Sequence, residues 1–233
     1  MPEQVKWPEP IVSCRILFAV ALLVVVVPGA NAAGEAMSCP VDSEAIAAVA
    51  GNTSADVFTR PESSVPTAKR TTCGLYATAQ DAYDMVREAP GKVLFIDVRT
   101  RAELQFIGMP TLVDAHVPVL VETSPPQWDE VNSTFKLAPN PKFVEGVDKR
   151  LAKKGLTRDD QVILICQGGV RAARAANVLT QAGYTKVYTT IDGFEGDPVA
   201  DGPHKGERLL NGWRNAGLPW TAKLDRAKMY ELD

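Results

Sequence analysis

The chain has 233 residues, 45% of them apolar, with 25 Lys and Arg against 28 Asp and Glu and a formal net charge of −3. That apolar content is enough for a real core, in one large domain or two small ones. The slight acidity, with no basic run and no aromatic stacking motif, argues against nucleic acid as a partner.

Residues 1–32 read as a secretory signal peptide. Lys6 and Arg15 precede an apolar run at 16–27, Pro28-Gly29 closes it, and Ala30-Asn31-Ala32 offers small residues where signal peptidase reads them. The run is short of the roughly twenty residues a spanning helix needs. Cleavage after Ala32 is therefore expected rather than an uncleaved anchor, giving an exported, periplasmic chain with no stable membrane insertion. Cys14 departs with the signal, which leaves Cys39, Cys73 and Cys166. In an oxidising compartment cysteines pair or stay free for a reason. Cys39 and Cys73 both precede the first strand, so these two are expected to form a disulfide, with Cys166 left as the reactive thiol. Three free cysteines is the alternative.

Residues 33–72 form an extension, with a short helical pattern at 42–50 and a Ser/Thr/Pro-bearing stretch at 51–72. It reads as a packed arm or a linker, and no residue in it stands out for chemistry. The domain proper is expected over 73–233. A short strand at 74–77 leads to a helix that starts at Thr78-Ala79-Gln80-Asp81 and buries Ala82, Met85, Val86 and Ala89. Pro90-Gly91 ends it. A second, buried strand follows at 93–96, with Asp97 and Arg99 at its carboxyl end. Residues 101–107 make a short helix closed by Gly108 and Pro110. A third strand at 115–118 carries His116, read as a hydrogen-bonded strand histidine in preference to a general base. His116 and His204 stand without clustered acids or cysteines, so no metal site is expected.

The connection at 119–139 is long and contains Pro125-Pro126, Trp128 and Phe135. It reads either as a roof over a site or as an arm packing its own aromatics. Asn140-Pro141 predicts an N-cap followed by proline at the first helical position. Phe143, Val147 and Leu151 supply that helix's buried stripe, and Gly155 closes it.

The chemistry concentrates in residues 162–183, VILICQGGVRAARAANVLTQAG. A short β-branched run reads as a strand buried on both faces of a parallel sheet. Ala172, Ala173, Ala175, Ala176 and Leu179 recur at helical spacing, and Gly183 sits where a left-handed C-cap is wanted. Cys166 thus falls in a strand-to-helix loop, where open α/β sheets place ligands. Backbone N–H groups of Gln167, Gly168, Gly169, Val170 and Arg171 can curl around the sulfur. The helix start and the Arg171 guanidinium add positive charge that favours a thiolate. An inert buried cysteine is the plainer alternative, and Gly-Gly and Arg at a helix start count against it. A last strand is expected at 187–190, with Trp213, Leu218 and Trp220 packing over the sheet or loop rim.

The segment CQGGVRAARAA at 166–176 resembles the active-site loop of the rhodanese family of sulfurtransferases. FIDVRTRAE at 95–103, AHVP at 115–118, GYTKVYTTIDGFEGD at 183–197 and NGWRNAGLPW at 211–220 resemble the same family in the expected order. The resemblance implies a single rhodanese-like unit, α/β, with an about five-stranded, mainly parallel sheet and helices on both faces. It implies thiosulfate sulfurtransferase-like activity through a Cys166 persulfide, with a small-molecule sulfur donor, a thiol or cyanide acceptor, and no cofactor. It gives Asp97 and Arg99 the task of supporting the loop and lining its rim. This chain departs from the family in having Gln167, Gly168 and Ala172 where cationic and serine side chains are common, which lowers the loop's charge. Two rivals follow: a non-catalytic rhodanese-type binding module, and a Cys-dependent phosphatase or arsenate reductase. The latter's loops hold five residues between Cys and Arg, whereas four separate Cys166 from Arg171.

Overall fold

A computed structural model describes residues 61–232. The expected signal peptide, the helical pattern at 42–50 and Cys39 lie outside the described residues. In chain order the elements are β1 (Tyr76–Ala77), α1 (Ala79–Glu88), β2 (Val93–Asp97), α2 (Arg101–Ile107), β3 (Met109–Pro110) and β4 (Ala115–His116). Four short strands follow, β5 (Leu120–Glu122), β6 (Trp128–Asp129), β7 (Thr134–Phe135) and β8 (Leu137–Pro139). Then come α3 (Phe143–Lys154), β9 (Gln161–Ile165), α4 (Val170–Gln181), β10 (Lys186–Thr190) and β11 (Trp220–Thr221).

The five-stranded sheet runs in the order β1-β10-β9-β2-β4, and every pairing in it is parallel. The central strands β2 and β9 are buried on both faces, which is why the sequence shows continuous apolar runs there. Alternate residues serve opposite layers. Leu94, Ile96, Val162 and Leu164 face the layer built from Phe143, Val147 and Leu151 of α3 and Ala172, Ala175, Ala176 and Leu179 of α4. Val93, Phe95, Ile163 and Ile165 face the other, which holds Ala82, Met85 and Val86 of α1, Leu104 of α2, Trp213 and Leu218. In the β2–β9 register Asp97 lies beside Ile165, so the carboxyl ends of the two central strands come level just before Cys166.

Helix ends follow local chemistry. Thr78 caps α1 in a capping box with Asp81. At the end of α4 the Tyr184 N–H donates to the Leu179 carbonyl at 3.1 Å, and Gly183 turns the chain at φ +90°. The start of α3 differs from the expectation. Its first residue is Phe143 and its N-cap Lys142, without a side-chain cap. Asn140 instead donates through Nδ2 to the Pro118 carbonyl at 2.9 Å and accepts the Lys142 N–H at 3.0 Å, making a turn ahead of the helix.

The connection at 119–139 folds on itself. β5 pairs antiparallel with β8, β6 with β7, and the Trp128 ring meets Phe135 edge-on with centroids 5.4 Å apart. Residues 61–72 pack on the domain through two single-turn 3-10 helices, Glu62–Ser64 and Thr67–Lys69, burying Val65 and Lys69. The Thr72 N–H donates to Asn177 Oδ1 of α4 at 2.9 Å. Next to it, Cys73 is disulfide-bonded while Cys166 is free, so the partner of Cys73 lies outside the described residues.

Candidate active site

Cys166 follows the last residue of β9 and is 1% exposed. The chain then turns through Gln167 and Gly168 to Gly169, the N-cap of α4. The Gly169 N–H donates to Cys166 Sγ at 3.1 Å. This places the first orphan donor of the helix, at the positive end of its dipole, directly on the sulfur. Gly169 has φ +98°, and a Cβ there would strike the Ile191 carbonyl, so conformation and space both require glycine. The carbonyls of the loop are turned away from the sulfur. Phe194 N–H donates to the Cys166 carbonyl at 2.8 Å and Glu195 N–H to that of Gln167 at 2.9 Å.

Arg171, in the first turn of α4, does not stand free. Its Nη1 donates to Glu103 Oε2 at 2.6 Å and its Nη2 to Oε1 at 2.5 Å, a bidentate pair about one-sixth exposed, at 17% and 18%. Glu103 also closes the capping box of α2, accepting the Thr100 N–H at 3.0 Å. Burial alone would lower the Arg171 pKa; the Glu103 hydrogen bonds and charge, with Cys166 and Asp97 nearby, reverse this and leave it raised. Burial likewise pushes the Glu103 carboxyl up, and Arg171 and Thr100 bring it below its ordinary value.

A cavity of about 230 Å³ opens over the thiol, lined by Cys166, Gln167, Gly168, Val170, Arg171, Lys69, Asp197, Pro198 and Arg208. None of the lining residues comes from 119–139. Lys69 is buried, with Nζ 2.6 Å from Asp197 Oδ1. Asp197 is held in turn by Asn211, whose Oδ1 accepts the Asp197 N–H at 2.7 Å. Arg208 Nη1 donates to the Gly196 carbonyl.

Asp97 and Arg99 lie under the loop and not along its rim, both at 0% exposure. Arg99 Nη2 meets Asp97 Oδ2 at 2.6 Å and donates to the Gly108 carbonyl at 2.8 Å, while its guanidinium stacks 4.3 Å from the Phe194 ring centroid. Two buried charges at a strand end satisfy each other here, and so cannot be spared for a rim. His116 is also fully buried. Its Nε2–H donates to the Arg99 carbonyl at 2.8 Å, and burial, the largest influence, lowers its pKa. It does not reach the cavity.

The pattern of the Rhodanese-like domain matches residues 78–196, just over half of the chain. This chain belongs to the rhodanese-like family. That family includes sulfurtransferases, and the parallel sheet with helices on both faces is its fold. An uncharacterised protein of Rickettsia conorii is 29% identical over 139 residues, covering 60% of this chain and 90% of the relative. An uncharacterised protein of Rickettsia prowazekii is 25% identical over 125 residues, 54% of this chain and 80% of the relative. Among solved structures, Rv0390 from M. tuberculosis is 30% identical and covers 64% of this chain and 97% of its own, with a TM-score of 0.47. A polysulfide-sulfur transferase from Wolinella succinogenes is 22% identical, covering 69% and 85%, with a TM-score of 0.37.

Within this rhodanese-like domain the structure brings Cys166, Gln167, Gly168, Val170 and Arg171 to one cavity wall, with Gly169 on the sulfur. Glu103, Lys69, Asp197, Pro198 and Arg208 escaped the sequence as site residues. Glu103 carried a partial signal, the Thr-x-x-Glu of a capping box, but nothing linked it to Arg171. Lys69 and Arg208 carried none, since each reaches the loop from a segment without a motif.

Proposed function

We propose that this chain is a sulfurtransferase that takes sulfane sulfur from an anionic donor such as thiosulfate and passes it to a thiol or cyanide. The observation that carries the reading is the free Cys166 at a helix start, its sulfur accepting the Gly169 N–H, in an open cavity with cations on its wall. The Cys166 thiolate attacks the outer sulfur of thiosulfate. The donor's S–S bond breaks, its electron pair leaves with sulfite, and a persulfide remains on Cys166. The acceptor then attacks the terminal sulfur and releases the thiolate. Neither half-reaction needs a separate base, oxidant or reductant.

Cys166→Ser should abolish cyanide-accepted thiosulfate turnover and leave the fold intact. Intact-mass spectrometry after thiosulfate treatment should find one added sulfur, mapped to the Cys166 peptide. Equal turnover in wild type and variant would refute the enzyme reading. A second reading, a rhodanese-type module that only binds a partner, is favoured by the bidentate pairing of Arg171 to Glu103. Absence of the added sulfur would select it, and para-nitrophenyl phosphate hydrolysis would select the Cys-dependent phosphatase.

We also propose export, with the mature chain beginning at Ala33, and a Cys39–Cys73 disulfide. Native protein should yield an N-terminal peptide starting at Ala33. Non-reducing peptide mapping should join Cys39 to Cys73, and a bridge to Cys166 would overturn the assignment.

A further inference from the structure

Sulfur transfer from thiosulfate brings a dianion against a thiolate, so three negative charges meet in a small space. Desolvated like charges repel strongly, and the site must offset this with fixed positive charge. The loop does not supply it. Gln167 and Gly168 are neutral, and the charge of Arg171 is balanced by Glu103 at 2.5 Å. Net positive charge comes instead from outside the loop, where Lys69 and Arg208 stand on the cavity wall against one carboxylate, Asp197, among the described residues, leaving one cation in excess. Lys69 lies over Gly169, the residue whose N–H meets the sulfur. A Cβ on that glycine would come within 3.0 Å of Lys69 Cδ. Arg208 occupies the space beside Gly168, where a Cβ would come within 2.8 Å of its Nη1. The glycine that costs the loop a side chain thus makes room for a guanidinium.

We propose that Lys69 and Arg208 form a clamp at the mouth of the Cys166 cavity that holds the oxyanion end of a dianionic sulfur donor. This rests on the sulfur-transfer reading above. Both side chains line the cavity, and among the described residues the one carboxylate lining it with them is Asp197. Asp197 engages one of the three Lys69 N–H donors, and the Gly196 carbonyl takes one of the five of Arg208. Lys69 is held at a fixed place by that pairing and by its buried stem, so its charge is presented without the entropy cost of ordering a free lysine. With the oxyanion between these two cations, the donor's outer sulfur is directed to Sγ.

The test compares alkylation of Cys166 by iodoacetate, an anion, with alkylation by neutral iodoacetamide, in the full-length protein. Dividing the two rates cancels changes in thiol reactivity and reads the charge at the mouth. Lys69→Gln and Arg208→Gln should each lower the iodoacetate-to-iodoacetamide ratio on the order of 3- to 10-fold. Lys69→Arg should keep it, and so should Lys186→Gln, at the opposite end of β10. With thiosulfate as donor the two Gln variants should raise KM by a similar factor while kcat stays near wild type. In wild type the ratio should fall as salt rises, a measurement that needs no variant. An unmoved ratio in both Gln variants, or a salt-independent ratio in wild type, would overturn the clamp. A charge-dependent ratio in a protein that never gains a persulfide would instead refute sulfur transfer and leave the anion clamp standing.

Discussion

Arg99, two residues beyond β2, and Arg171, in the first turn of α4, each lie against a carboxylate. Arg99 is sealed at 0% exposure, held by Asp97 and the Gly108 carbonyl and stacked on Phe194. Arg171 is paired just as closely, to Glu103, but sits on the cavity wall. In both, burial lowers the guanidinium pKa and the surrounding negative groups, the paired carboxylate first among them, more than reverse it. The interaction is alike and the surroundings differ. A bidentate pair under a loop fixes architecture, whereas one on a cavity wall orients a group that a ligand can reach.

The largest effect should come from Arg99→Met. Leaving Asp97 buried without its partner should lower stability by about 3–5 kcal/mol in urea unfolding. Protein that remains folded should keep its thiosulfate KM. A normal unfolding midpoint with a raised KM would erase the distinction between the two arginines. Arg171→Met should show the opposite balance. Its kcat/KM should fall about 100-fold, because Glu103 is left as an unpaired negative charge near the incoming dianion, with a stability loss of only about 1–2 kcal/mol from that mostly buried carboxylate.

Glu103→Gln sharpens the comparison through pH. The folded-state pKa of Glu103 is lowered: burial, which would raise it, is outweighed by Arg171 and Thr100. Its stabilisation is therefore present above the unfolded value of about 4.3 and is lost as pH falls through the lower folded value. Urea midpoints taken from about pH 6 down to about pH 3 should fall in wild type, and less steeply in the variant. An identical acid limb in both would mean that the pair contributes nothing to folding. The smallest effect belongs to Thr100→Ala, which removes one half of the α2 capping box and should cost about 1 kcal/mol. Donor KM should not move, because Glu103 keeps its grip on Arg171.

The parts legible in the sequence were those whose cause is local. β2 and β9 showed as apolar runs because both faces are covered, and α4 was bounded by its glycines. Where a side chain bonds across the chain, sequence pattern misled or fell silent. Asn140-Pro141 carried the signature of a helix start, yet Asn140 is committed to the Pro118 carbonyl and the helix begins at Phe143. The pairings β5–β8 and β6–β7 are too short for alternation to show. Lys69 and Asp197 are separated by 128 residues, and nothing in the composition of either segment announces the other.

The rhodanese-like match begins at residue 78 and ends at 196, whereas Lys69 and Arg208 stand before and after it. The nucleophile and most of the scaffold thus lie in one segment, and part of the cavity wall in its flanks. Two proteins can share every residue of the matched stretch and still present different mouths to their donors. Exchanging flanks between such proteins is a route to moving donor preference without touching the catalytic loop.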